Sequence, residues 1–174
     1  MLGAAIASAE LHQTIAFKRM QELFQYKIEY TNTRLKELDL PQYQESDSPL
    51  FFIPVGLPRV TRNIIKRMKK VGFYVNGAAF PAVPMKKGGI RFMINNNLSI
   101  EEIESMLVNL QKEYVLGLYD EGSSIEEVAK LFKLKPFLLE HNFDVKRESN
   151  PANLKEEFHD SIKTISSQEW NLMF

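Results

Sequence analysis

Gly72-Phe73-Tyr74-Val75-Asn76-Gly77-Ala78-Ala79-Phe80-Pro81-Ala82-Val83-Pro84, followed after three residues by Gly88-Gly89-Ile90-Arg91-Phe92-Met93-Ile94, decides how this chain is read. Two prolines three apart predict an extended, rigid loop. The glycine pair predicts a tight turn of the backbone into a strand. Arg91 then falls near the start of that strand, Ile90–Ile94, with apolar neighbours on both sides. A guanidinium held this way can grip a carboxylate through two parallel charge-assisted hydrogen bonds. On pattern alone the plainer alternative stands beside it, an edge-strand arginine paired with a nearby Glu.

Working outward, Leu50–Val55 is a short apolar run between turn residues and predicts a buried strand. Arg59 to Val71 predicts a helix that is basic on one side, ended by Gly72, and Phe73-Tyr74-Val75 predicts a second strand. After the third strand, Ser99 with Glu102 three residues on forms a capping box, opening a helix to about Leu118. Strand-helix-strand-strand-helix in this order predicts a compact α/β unit of α+β character, a small and mostly antiparallel sheet packed with helices. Upstream, the small-residue stretch Met1–Ala9 predicts a helix that needs cover. Thr14 to Leu38 predicts a long amphipathic helix with Ile15, Met20, Leu23, Ile28 and Leu35 on its apolar face. Downstream, Ser124 to Phe132 predicts a short amphipathic helix, 142–158 a polar linker, and the chain stops on Ile162, Ile165, Trp170, Leu172, Met173 and Phe174. These features divide the chain into a long-helix segment (1–48), a small α/β domain (49–120) and a helical extension (121–174). They also set the expectation of a piece cut at both ends.

Apolar residues make up 44% of the 174 and charged residues 25%, the balance of an ordinary globular protein. Lys plus Arg and Asp plus Glu are equal at 22, which gives no support to phosphate-backbone binding. No cysteine is present, so disulfides and thiolate metal sites are excluded, in keeping with a cytoplasmic location. No apolar run reaches the ~20 residues that span a bilayer. His12, His141 and His159 lie far apart without partners at ligand spacing, so no metal site is expected. Lys86-Lys87 reads first as a solvated pair, with contact to coenzyme A phosphates the sharper alternative. The basic set Arg62, Lys66, Arg67, Lys69 and Lys70 reads first as surface charge, with a nucleic-acid or coenzyme A contact the sharper alternative. Ser124–Phe132 is similar to the first helix of a helix-turn-helix, but Leu134–Leu139 offers no basic recognition helix. Residues 161–170 look similar to the opening of acetyltransferase-like domains.

In order, spacing and loop motif the central stretch resembles the C-terminal part of the α-oxoamine synthase family, fold type I pyridoxal-phosphate enzymes of the 8-amino-7-oxononanoate synthase-like kind. The corresponding pieces are Pro49–Val55, Arg59–Val71, Phe73–Val75, the Pro81-Ala82-Val83-Pro84 loop, Ile90–Ile94 and Ser99–Leu118. Met1–Ala9, with Leu11-His12, resembles the small-residue helix that follows the family's cofactor lysine, so the likeness covers about residues 1–118. It implies a pyridoxal-phosphate-dependent acyl-CoA:amino acid C-acyltransferase, a homodimer, in which Arg91 binds the substrate α-carboxylate, with Pro81 and Val83 of the loop also at the substrate. It also implies that the cofactor supplies an electron sink for the α-carbanion that attacks the acyl-CoA thioester. Two departures matter. Ala79 stands where family members often carry a second arginine, and no lysine here lies in the family's Ser-Lys context followed by glycines. This chain alone is therefore expected to hold no covalent cofactor and to be inactive. The alternative is a non-catalytic binding, regulatory or dimerisation module.

Overall fold

The structure is a computed structural model that describes residues 2–134 and 137. All of these lie in one unit of chain contacts, Met1–Asn142; the second unit, Phe143–Phe174, lies outside the described residues, as do His141, His159, the polar linker and the acetyltransferase-like stretch.

The elements follow as α1 (Leu2–His12), α2 (Ile15–Glu37), β1 (Leu50–Gly56), α3 (Pro58–Lys70), β2 (Asn76–Ala78), β3 (Gly88–Met93), α4 (Ile100–Asp120) and α5 (Ile125–Phe132). The three strands form one antiparallel sheet in the order β1-β3-β2. Alternation along the strands sends Phe51, Ile53 and Val55 of β1 and Ile90 and Phe92 of β3 to one face. There they meet Val60, Ile64 and Met68 of α3 and Ile103, Leu107, Leu110, Tyr114 and Leu118 of α4 in the core. Phe51 and Phe92, directly paired across the strands, stack with ring centroids 5.1 Å apart. At the bulge between Pro54 and Gly56 the Pro54 carbonyl accepts a 2.6 Å hydrogen bond from the buried Tyr114 hydroxyl, tying α4 to β1.

Helix ends follow their chemistry. Ser99 accepts from the Glu102 N–H at 3.1 Å while the Glu102 carboxylate accepts from the Ser99 N–H at 2.7 Å, the capping box read from the sequence. Gly72 (φ +93°) ends α3 in a Schellman motif, with Gly72 N donating to Lys69 O and Phe73 N to Met68 O.

Four expectations need correcting. Phe73–Val75 is not a strand: the helix-ending turn uses Phe73, and pairing with β3 begins only at Asn76. The proline loop is not extended. Ala82 N bonds Ala79 O at 2.9 Å and Lys87 N bonds Pro84 O at 2.8 Å, so two turns follow one another, with a cis bond at Phe80–Pro81. α2 packs on the core from Phe24 onward, burying Ile28 and Leu35, whereas Ile15, Met20 and Leu23 are exposed. The basic face of α3 is not simply solvated: Arg67 Nε donates to Glu113 at 2.8 Å and its Nη1 to Asp120 at 2.9 Å.

α2 is fastened to α4 by a polar seam. Tyr30 Oη donates to Glu104 at 2.7 Å, and Arg34 donates to both oxygens of the same carboxylate at 2.8 and 2.5 Å. The Arg34 hydrogen bonds hold the Glu104 carboxyl below its usual range, and burial, with the Glu104 carboxylate beside it, pushes the Tyr30 phenol up to about 12. A depressed carboxyl stabilises the fold above its unfolded pKa and loses that contribution as pH falls through the folded value. A raised phenol stabilises below an ordinary value near 10 and loses its contribution as pH climbs toward 12. Urea midpoints measured across pH are therefore expected to fall at both extremes. Glu104→Gln should flatten the acid limb, and an unchanged acid limb would remove Glu104 from this role.

Candidate functional site

Arg91 lies on β3, the central strand, paired with Phe52 of β1 on one side and Asn76 of β2 on the other. The edge-strand alternative is thereby overturned. Its side chain belongs to the sheet face opposite the core, in the row that alternation assigns to Gly89, Arg91 and Met93. The glycine pair before it serves close approach, not the turn expected from sequence. A Cβ on Gly89 would lie 2.4 Å from Phe52 Cζ and 2.5 Å from the Ile53 carbonyl oxygen, and one on Gly88 would lie 2.9 Å from the Gly56 carbonyl oxygen. The strands can come together at this point only if both positions lack side chains.

Arg91 borders an open groove of about 530 Å³ between β3, the Phe73–Asn76 segment and the start of α4. Phe73, Met93, Leu98 and Met106 supply apolar walls, and Glu101 stands on the rim. Among the described residues Arg91 is exposed and makes no ion pair or side-chain hydrogen bond. A guanidinium beside apolar walls, with its donors uncommitted, is suited to gripping a carboxylate, and the Glu101 and Glu102 carboxylates also line the groove. Pro81 and Val83 do not join it: they sit in the turned loop, Pro81 exposed and Val83 half-buried, and neither borders the groove. Ala79 lies at the base of that loop, its carbonyl accepting the Ala82 N–H.

Leu98, Glu101 and Met106 were not singled out from sequence, although the capping box at Ser99 placed the first turn of α4 just after the Arg91 strand. The lysine pair divides. Lys86 borders a second cavity of about 270 Å³ near Gly56 and Glu121, and Lys87 Nζ sits 5.7 Å from the Phe132 ring centroid. Among the described residues no group of three or more His, Asp or Glu could hold a metal ion. None of their helices is long and apolar enough to cross a membrane.

No protein-family model matches the chain, and no curated protein sequence does. Solved structures do match. A lysine-to-alanine variant of serine palmitoyltransferase from S. paucimobilis, with a bound PLP–myriocin aldimine, superposes with a TM-score of 0.56 at 17% identity, over 64% of this chain and 28% of that one. The fold is that of a portion of the fold type I pyridoxal-phosphate enzymes. An SPT with a PLP internal aldimine agrees, with a TM-score of 0.53 at 19% identity over 56% of this chain and 25% of that one. The 8-amino-7-oxononanoate synthase of Francisella tularensis gives 0.51 at 18%, over 63% and 31%. At such identities the likeness concerns the fold, and the matched portion spans between a quarter and a third of each enzyme. The antiparallel sheet with helices expected from sequence, and its likeness to α-oxoamine synthases, both stand.

Proposed function

We propose that this chain contributes the carboxylate-binding part of a pyridoxal-phosphate-dependent acyl-CoA:amino acid C-acyltransferase of the α-oxoamine synthase kind. The observation that carries the proposal is Arg91, exposed on the central strand, bordering a groove and free of acidic partners among the described residues. Its role is to bind and orient an amino-acid carboxylate, a positioning task with no proton transfer. On this reading none of the described lysines carries the cofactor covalently. The buried lysine, Lys27, directs its Nζ to the carbonyl oxygens of Asn96 and Leu98, at 2.9 and 2.6 Å. On this reading the cofactor lysine is not among them, and the chain by itself is inactive.

The test uses the Arg91 Nε–H resonance of the isotope-labelled chain. L-Alanine is expected to shift it, and L-alaninamide, which lacks the carboxylate, is not. Read from the Met106 amide instead, Arg91→Ala should weaken L-alanine binding roughly tenfold or more, as loss of hydrogen bonds to a charged group implies. Equal responses to both compounds, or none to either, would overturn the role.

A second reading, a non-catalytic dimerisation module, is favoured by one observation. Leu2, Ile6 and Leu11 of α1 and Ile15 and Leu23 of α2 are all at least half exposed, and α1 buries no residue among those described. Light scattering read together with the L-alanine titration would separate the readings. A dimer that is lost in Ile6→Asp, formed by a chain that does not respond to L-alanine, would favour this one.

A further inference from the structure

We propose that Lys27 is a positioning residue for the Arg91 groove, a role that rests on the carboxylate-binding reading above. Lys27 lies on α2, 5% exposed, and faces the turn that joins β3 to α4. A buried ammonium is costly unless its donors are met. Two of its donors are met by carbonyls from that one turn, Asn96 O at 2.9 Å and Leu98 O at 2.6 Å. The same turn is held one further time from α2, seven residues earlier, where Asn96 Nδ2 donates to Met20 O at 3.3 Å. Its internal bonds, Leu98 N to Asn95 O and Asn97 N to Asn95 Oδ1, only close it upon itself. Lys27 therefore supplies two of the three hydrogen bonds that tie the Asn96–Leu98 turn to α2.

That placement matters because of what the turn joins. Arg91 and Met93 stand just before it; Leu98, which accepts the shorter Lys27 bond, borders the groove; and Glu101 and Met106 follow on the first two turns of α4. The cationic wall and the apolar wall of the groove thus meet at the segment Lys27 holds. An apolar residue of similar length could fill the same space, but it would leave both carbonyls without their donor and the turn free to shift. Lysine gives a point charge at the end of a thin stem, which suits two convergent carbonyls better than the planar fork of arginine.

The test follows Arg91 Nε–H and the amides of Leu98, Ile103 and Met106 in the full chain, without ligand and with L-alanine. Lys27→Met is expected to move all of these resonances before any ligand is added, and to weaken L-alanine binding about tenfold. Ile28→Val, which trims the neighbouring core position, should lower the unfolding midpoint without moving them. Lys27→Arg, which keeps the charge but not the geometry, should give an intermediate shift, and it serves in place of Lys27→Met if that variant fails to fold. Ligand-free resonances unchanged in both Lys27 variants would overturn the proposal. A wild-type chain that ignores L-alanine would sink the carboxylate reading instead, and the ligand-free shifts would still decide whether Lys27 shapes the groove.

Discussion

Arg67→Met is expected to cost about 3–5 kcal/mol, because it removes the partner of a carboxylate that the fold has already taken out of water. Glu113 is only 7% exposed, and its ion pair with Arg67 Nε spans 2.8 Å between α3 and α4. The second contact, from Arg67 Nη1 to Asp120, joins a carboxylate that is far more exposed and adds little by itself. The two contributions can be told apart. Asp120→Asn should shift the urea midpoint only slightly, whereas Glu113→Gln should shift it substantially. The double variant Arg67→Met/Glu113→Leu, which leaves no buried charge behind, is expected to recover most of the loss. A double variant as unstable as Arg67→Met would mean that packing, not the stranded carboxylate, sets the cost.

Gly89→Ala is expected to destabilise by about 3 kcal/mol, the upper part of the usual overpacking range. The new methyl would meet two different obstacles, and they differ in kind. Phe52 Cζ is the far end of a side chain and can swing away, but the Ile53 carbonyl oxygen belongs to the backbone of the neighbouring strand. Relief would require β1 and β3 to part at the place where Pro54 and Gly89 pair. Phe52→Ala combined with Gly89→Ala should therefore rescue only part of the loss. Complete rescue would show that the ring alone forbids a side chain there. The comparable clash at Gly117, 2.4 Å from Ile64 Cγ1 at the crossing of α3 and α4, involves side-chain atoms first and should be milder.

What could be read from sequence was whatever is encoded locally. The capping box at Ser99 and Glu102 and the helix end at Gly72 rest on bonds spanning a few residues, and both are present. Phe73–Val75 misled because an apolar, aromatic run satisfies strand propensity equally well as a tether that buries Val75 while crossing from a helix end to a sheet edge. Which residues face Arg91 is set by register with β1, some forty positions upstream, and with β2, and no local pattern carries that information. Likewise Lys27 and Thr31 are not among the α2 positions that apolar periodicity marks for burial. They are buried because the turn at Asn96–Leu98 brings carbonyls to the lysine, and Thr31 Oγ1 bonds back to Lys27 O.

The central placement of Arg91 has a consequence for how much disorder a ligand must remove. An arginine on a free edge brings backbone fluctuation as well as side-chain rotation to any encounter, and both must be quenched on binding. Here neighbouring strands hold the residue on either side, opposite Phe52 and opposite Asn76. What remains to be frozen is the rotation of one side chain, roughly 2 kcal/mol at most for arginine, and its planar fork loses less of that per bond than a lysine would. If Arg91 binds a carboxylate as proposed, most of the ordering cost of that capture is met when the sheet folds, before any ligand arrives.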